Sequence, residues 1–228
     1  MIKDNRLNLV KTILIFLIYF IYTNVINSLL HTIGITDHVI VWFVSDLCFF
    51  LGIVLYYQNS ICESVSEFKK NYTFKKKMIT IFKWFFIITI INFLYASISY
   101  MILGTNSSLD ENTISLRKIA DVSTMYTIFK TLIFASVAEE LLFKKAIRDV
   151  VPNDGLFYVV SSFIYAAVNI MYTNITVFSI VDFIQYFLFS ILLSYCYVKN
   201  KDNIFLIMMI KFVYALFPLA LMLLGVGA

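Results

Sequence analysis

The sequence predicts an all-α fold, a polytopic transmembrane bundle of about seven helices with its N-terminus inside. Three observations predict it. First, 14% of the 228 residues are charged and 61% are hydrophobic, whereas a soluble domain averages about 25% charged. Second, the apolar residues come in blocks of about 20, the length that crosses the hydrocarbon core of a bilayer. Third, the basic residues fall on one side of those blocks. Of the 18 Lys and Arg residues, only Arg117 and Lys118 land on the outer side, and Lys130 and Lys211 lie inside helices. The others land on the inner side, as the positive-inside rule requires for a cytoplasmic N-terminus and an extracytoplasmic C-terminus.

The elements follow in order. The first helix spans Leu7–Leu30. Lys3, Arg6 and Lys11 before it resemble the start of a signal peptide, but the apolar run is too long and no small-x-small cleavage site follows, so the helix is read as retained. The second spans Val39–Gln58. A basic loop, Glu63–Lys77, carries Lys69, Lys70, Lys75, Lys76 and Lys77, and the third helix spans Met78–Leu103. A polar loop, Gly104–Asp121, contains Asn106-Ser107-Ser108, which matches the glycosylation pattern; it is given no weight in a chain whose Ile, Asn and Lys content looks bacterial. The fourth helix spans Val122–Phe143. Pro152-Asn153-Asp154-Gly155 is strong turn chemistry. Leu156–Tyr172, Ile175–Val198 and Ile204–Leu224 complete the set. Residues 1–228 read as one membrane domain, with three helices and the basic inner loop in 1–121 and four core helices in 122–228.

Other classes are disfavoured. The three cysteines, Cys48, Cys62 and Cys196, form no Cys-x-x-Cys pair, which argues against a disulfide framework or a zinc cluster. The net charge of +4 reflects membrane orientation rather than nucleic-acid binding. The first partner is the lipid bilayer.

Charge inside the helices carries the functional signal. Asp46, Lys130, Glu139, Glu140, Asp182 and Lys211 all fall within apolar segments. Ionisable groups at such depth are costly and mark functional sites by default. Glu140 and Lys144 are four apart and are expected to pair on one helical face. Lys211 enters from the inner side to a depth of roughly 10 Å, which places it within reach of Glu139. Asp46 and Asp182 enter from the outer side toward Lys130. Ser161, Tyr165 and Asn169 share one helical face, and Asp182, Gln185, Tyr186 and Ser190 lie on the next helix. Polar side chains of this kind also serve as interhelical glue.

Three segments, in order, resemble the signature motifs of the CAAX protease and bacteriocin-processing family (CPBP, or Abi) of intramembrane proteases. Glu139-Glu140-Leu141-Leu142-Phe143-Lys144 resembles Glu-Glu-x-x-x-Arg, with Lys144 in place of Arg. Ser161-Ser162-Phe163-Ile164-Tyr165-Ala166-Ala167-Val168-Asn169 resembles Phe-x-x-x-His preceded by Ser-Ser, with Tyr165 for Phe and Asn169 for His. Lys211-Phe212-Val213-Tyr214-Ala215 resembles His-x-x-x-Asn, with Lys211 for His and Ala215 for Asn. The resemblance covers Val122 to the C-terminus; the first three helices fit by count.

The resemblance implies that a motif-one glutamate and the motif-two histidine activate water, and that the motif-three residues stabilise the oxyanion. A general base needs a titratable acceptor, and an oxyanion needs donors aimed at the developing charge. Glu139 and Glu140 are kept as the candidate catalytic pair. Lys144, Tyr165, Asn169, Lys211 and Ala215 are the altered motif positions. No cofactor is expected: zinc is possible in the family, but its histidine ligands are missing here, and His31 and His38 lie at the outer side.

The sequence therefore points to a catalytically degenerate family member that acts by binding a peptide or membrane-protein partner, in the manner of a scaffold or a bacteriocin immunity or resistance factor. Two alternatives stay open. One is a working intramembrane endopeptidase that processes prenylated or leader peptides through Glu139 or Glu140. The other is a small transporter or channel lined by Asp46, Lys130, Asp182 and Lys211.

Overall fold

A computed structural model describes residues 2–71, 73–103, 118–171 and 176–224. The expected loop tripeptide Asn106-Ser107-Ser108 lies outside them. The described residues form helices α1 (Ile2–Thr32), α2 (His38–Tyr56), α3 (Gln58–Asn71) and α4 (Phe74–Leu103). A composite helix, α5, begins as Thr124–Ile128 and continues through Phe129–Glu139 and Leu141–Ala146. Helices α6 (Asp154–Ile170), α7 (Val177–Lys199) and α8 (Ile204–Leu223) follow. Each expected apolar helix has its counterpart. Five helices, α1, α2, α4, α7 and α8, are long and apolar enough to cross a membrane. The protein is a multi-pass helical membrane protein.

The helix starts are written locally. Asp37 caps α2 by accepting from the amides of Val39 (2.8 Å) and Ile40 (3.1 Å). Ser123 caps α5, Asn153 caps α6 and Asn203 caps α8, each accepting from the amide three residues on. Thr176 and Ser179 form a reciprocal capping box at α7. Each cap satisfies one of the donors that the first turn leaves without an intrahelical partner, a contribution of about 1 kcal/mol. The turn residue Asn153 thus ends one connection and starts the next helix.

Two elements depart from expectation. The stretch read as a basic loop, Glu63–Lys77, is mostly helical: α3 covers its first part and α4 begins at Phe74. Helix α3 was hidden because it is short and polar, with no apolar block to betray it. It docks through Phe68, whose ring meets Phe205 at 5.4 Å. The Asn203 side chain also donates to the Ser64 carbonyl at 2.9 Å. Its last-turn Lys69 and Lys70 sit where the helix dipole favours cations. The second departure is the π-helical geometry of α5 over Phe129–Glu139 and Leu141–Ala146. There the backbone bonds skip one residue more than in an α-helix, a feature frequent at functional sites.

Helix α5 is the axis of the bundle. It is packed by α8, α2 and α1, and α6 pairs with α7 along most of its length. Phe134, Ala138, Leu141, Leu142 and Ala146 of α5 are fully buried, together with Phe157, Leu206, Ile207 and Ile210 from α6 and α8. Helices α1 and α4 instead expose rows of Leu, Ile and Phe, as lipid-facing helices do. Helix α1 ties to the end of α5 through Thr12, whose hydroxyl donates to the Ala146 carbonyl at 3.0 Å. That carbonyl is one of those a helix C-terminus leaves without an intrahelical donor.

The same end is clamped by Arg148. Its guanidinium donates to the Pro152 carbonyl (2.9 Å), Asp154 (2.7 Å) and Asp202 (3.0 Å), and lies 5.2 Å from the Phe157 ring centroid. Partial burial works against this charge, but the hydrogen bonds and fields of Asp154 and Asp202 outweigh it and hold the group above its ordinary range. Lys201 and Asp202 form the tight α7–α8 turn with φ of 59° and 55°. Left-handed backbone costs a residue with a side chain roughly 1–2 kcal/mol, and the Asp202 carboxylate offsets part of this by receiving Arg148.

Candidate functional site

The site is built where α5, α6, α7 and α8 meet. Glu139 and Glu140 lie near the end of the π-helical stretch. Lys211 reaches across from α8 and donates to both, at 3.0 Å to Glu139 Oε2 and 2.7 Å to Glu140 Oε1. Glu140 is fully buried, and its Oε2 has no hydrogen-bond partner among the described residues. Glu139 keeps 18% of its side chain exposed. A charge removed from water at such depth is held only if it is paired, and one ammonium here serves two carboxylates. The expected Glu139–Lys211 pair is present, and Glu140 joins it.

Lys144 does not make the expected pair with Glu140. Its ammonium instead donates to Ser161 Oγ (3.0 Å), Ser190 Oγ (2.6 Å), Ser194 Oγ (2.9 Å) and the Ser190 carbonyl (3.1 Å). It is 1% exposed. The physical reason is the π geometry of α5, in which residues four apart no longer stack as they do in an α-helix. Lys144 therefore aims at α6 and α7. Ser161 also donates to the Phe143 carbonyl at 2.7 Å, which fixes its hydroxyl as an acceptor toward the ammonium. Ser161 and Ser190 were visible in sequence as polar residues on core helices. Ser194 was missed, although its spacing of four from Ser190 puts both on one face.

Tyr165 stands between the two lysines. Its ring lies 5.0 Å from Lys211 Nζ and 5.8 Å from Lys144 Nζ, a favourable arrangement for both cations. Asn169, one turn further on, spends one amide hydrogen on the Tyr165 carbonyl at 2.8 Å. Ala215 lies one turn beyond Lys211 on α8 and contributes no donor. It borders a mainly apolar cavity of about 220 Å³ with Lys211, Tyr214 and Pro218.

A larger and more polar cavity, about 540 Å³, lies between α1, α5 and α6. Glu139 and Asn169 both line it, so the altered motif-two position and the glutamate face one space. Toward its other end lies Lys130, which donates to Asp46 at 2.8 Å. Asp46 also receives the hydroxyls of Tyr22 and Tyr126. The expected meeting of Asp46 with Lys130 is thus observed.

A metal ion does not fit these residues. The ammonium of Lys211 already bridges the two carboxylates, and no three His, Cys, Asp or Glu side chains converge among the described residues. His31 and His38 belong to the α1–α2 junction.

The ordered trio of motifs on α5, α6 and α8 agrees with a comparison against protein families. Residues 121–217 match the model described as type II CAAX prenyl endopeptidase Rce1-like. Over those 97 of the 228 residues the chain is similar to that family. No curated protein and no solved structure matches the chain. The Rce1-like segment covers α5, α6, α7 and most of α8, and so takes in all three altered motifs. Helices α1 and α2 lie outside it, yet α1 supplies a wall of the polar cavity and α2 supplies Asp46.

Proposed function

We propose that this Rce1-like protein acts by binding, as a catalytically degenerate relative of the CAAX proteases that receives a peptide or membrane-protein partner in the cavity beside Glu139. The observation that carries the reading is the Lys211 bridge. The ammonium already occupies one oxygen of each glutamate that would have to take a proton from water. The positions that the family resemblance assigns to a titrating histidine and to oxyanion donors hold Asn169, Lys211 and Ala215. Loss of one oxyanion donor alone reduces rates by about 10²–10³-fold. Bacteriocin immunity or resistance is the role that the resemblance suggests for such a protein, in a cell membrane with the lysine-rich end of α3 and α4 toward the cytoplasm.

The test is proteolysis. Purified protein in liposomes is expected to leave a broad panel of prenylated and leader-type peptides intact while still retaining a partner. A cleavage product that disappears in Glu139→Ala and Glu140→Ala would overturn the reading. It would favour the second one, an active endopeptidase, for which the supporting observation is that Glu139 reaches an open polar cavity together with Asn169.

A further inference from the structure

The wall of the polar cavity says more about its occupant. Tyr19, Phe20 and Tyr22 from α1 and Phe143 from α5 all border it. Their rings touch in sequence: Tyr19 meets Phe20 at 5.6 Å, Tyr22 at 6.0 Å and Phe143 at 6.0 Å between centroids. Glu139 lies beside this wall. Only its Oε2 is engaged, and its Oε1 accepts no hydrogen bond among the described residues. Two carboxylates share the single ammonium of Lys211, while the nearby Lys144 spends its hydrogens on serines and a carbonyl. The hydrogen-bonded trio therefore carries one unit of negative charge beside an aromatic wall. Aromatic faces joined to a carboxylate are the chemistry that recognises ammonium and guanidinium groups.

The Lys144 ammonium also lies near the trio, but it does not line the cavity and is buried among serines; of the residues that do line it, the one cation is Lys130. It is neutralised by Asp46, and its ammonium lies 4.2 Å from the Phe134 ring centroid. It sits nine residues from Glu139 along α5, at most about 13 Å at α-helical rise. The repulsion is thus screened by a carboxylate at one end of the cavity, and Glu139, with its open Oε1, is at the other.

We infer that the cavity is a receptor for an organic cation, the side chain of a lysine or arginine in a bound peptide segment, with Glu139 Oε1 as the charged acceptor and Tyr19, Phe20, Tyr22 and Phe143 as the enclosing faces. The inference rests on the proposed peptide-binding reading for its peptide part alone; the cation site stands on the geometry.

The experiment uses the full chain in phosphatidylcholine nanodiscs. Capped alanine pentapeptides with Lys, Arg, Gln or Glu at the centre are titrated, alongside butylammonium, butylguanidinium and the neutral control butyramide. The Lys and Arg peptides are expected to bind at least tenfold more tightly than the Gln peptide, and the Glu peptide least. Both small cations are expected to compete, and butyramide is not. Glu139→Gln should erase the preference, Tyr19→Leu should weaken it several-fold, and Cys62→Ser, an exposed change on α3 away from the cavity, should preserve it. Equal binding of all four peptides would overturn cation recognition and leave the peptide-binding reading standing. Competition between small cations for the cavity without peptide binding would do the reverse. Absence of binding by every probe would overturn both.

Discussion

Lys144 and Lys211 are both buried ammonium groups in one bundle, and they are held in opposite ways. Lys211 bridges two carboxylates from α5. Lys144 touches no carboxylate among the described residues and is surrounded by three serine hydroxyls and a carbonyl. The first arrangement neutralises charge with charge, and removal of the cation strands two anions. The second replaces the hydration shell of the cation with neutral dipoles, and removal of the cation strands only hydroxyls. The two sites are joined by the Tyr165 ring, yet they should fail very differently.

The comparison is sharpest at Lys211. Lys211→Met is expected to destabilise the fold by about 3–5 kcal/mol, the usual cost of removing one partner from a buried ion pair. Denaturant unfolding in mixed micelles measures this, and a loss below about 1 kcal/mol would show that the glutamates do not depend on the bridge. Next comes the serine cage. Ser190→Ala with Ser194→Ala removes two hydrogen bonds to a buried charge, each worth about 1.5–3 kcal/mol, so the double variant should lose roughly 3 kcal/mol or more.

Asp46→Asn is expected to cost less, about 1–3 kcal/mol, because it weakens a charged hydrogen bond to Lys130, whose side chain is 30% exposed and partly solvated. The smallest effect falls on Lys144→Met, expected within about 1 kcal/mol of the parent, since Ser161 and Ser194 keep their bonds to the Phe143 and Ser190 carbonyls and the cost of burying the ammonium disappears with it. In the Ser190→Ala, Ser194→Ala background the same change should restore stability. A Lys144→Met loss as large as that of Lys211→Met would erase the distinction between the two sites.

Much of this was legible in sequence where the signal was apolar length or long-range charge. The spans of α1, α2, α4, α7 and α8 announce themselves by twenty-odd apolar residues. A lone cation in the last of them had few partners to choose from, which made the Lys211–Glu139 and Lys130–Asp46 pairs readable. Features decided by backbone geometry were not. Helix α3 is polar and short, so it shows no apolar block; its signal is a narrow helical stripe, Ile61, Ser64 and Phe68, that packs toward the core and α8. The π-helical stretch of α5 leaves no compositional trace, and an assumed α-helical period sent Lys144 toward Glu140 instead of the serines. The 3.6-residue period remained adequate for α6 and α7, where Ser161, Ser190 and Ser194 fall on facing sides.

The separation between Lys211 and its partners has a consequence for biosynthesis. The glutamates precede their cation by 72 and 71 residues of chain. Helix α5 enters the membrane carrying both carboxylates, and α6 and α7 are made before α8 delivers the ammonium. Through that interval Glu139 and Glu140 must stay hydrated or protonated. Helix α8 is therefore the one that lets the centre of the bundle become dry, and a chain arrested before α8 would present a wet, open core to the quality-control machinery of its membrane.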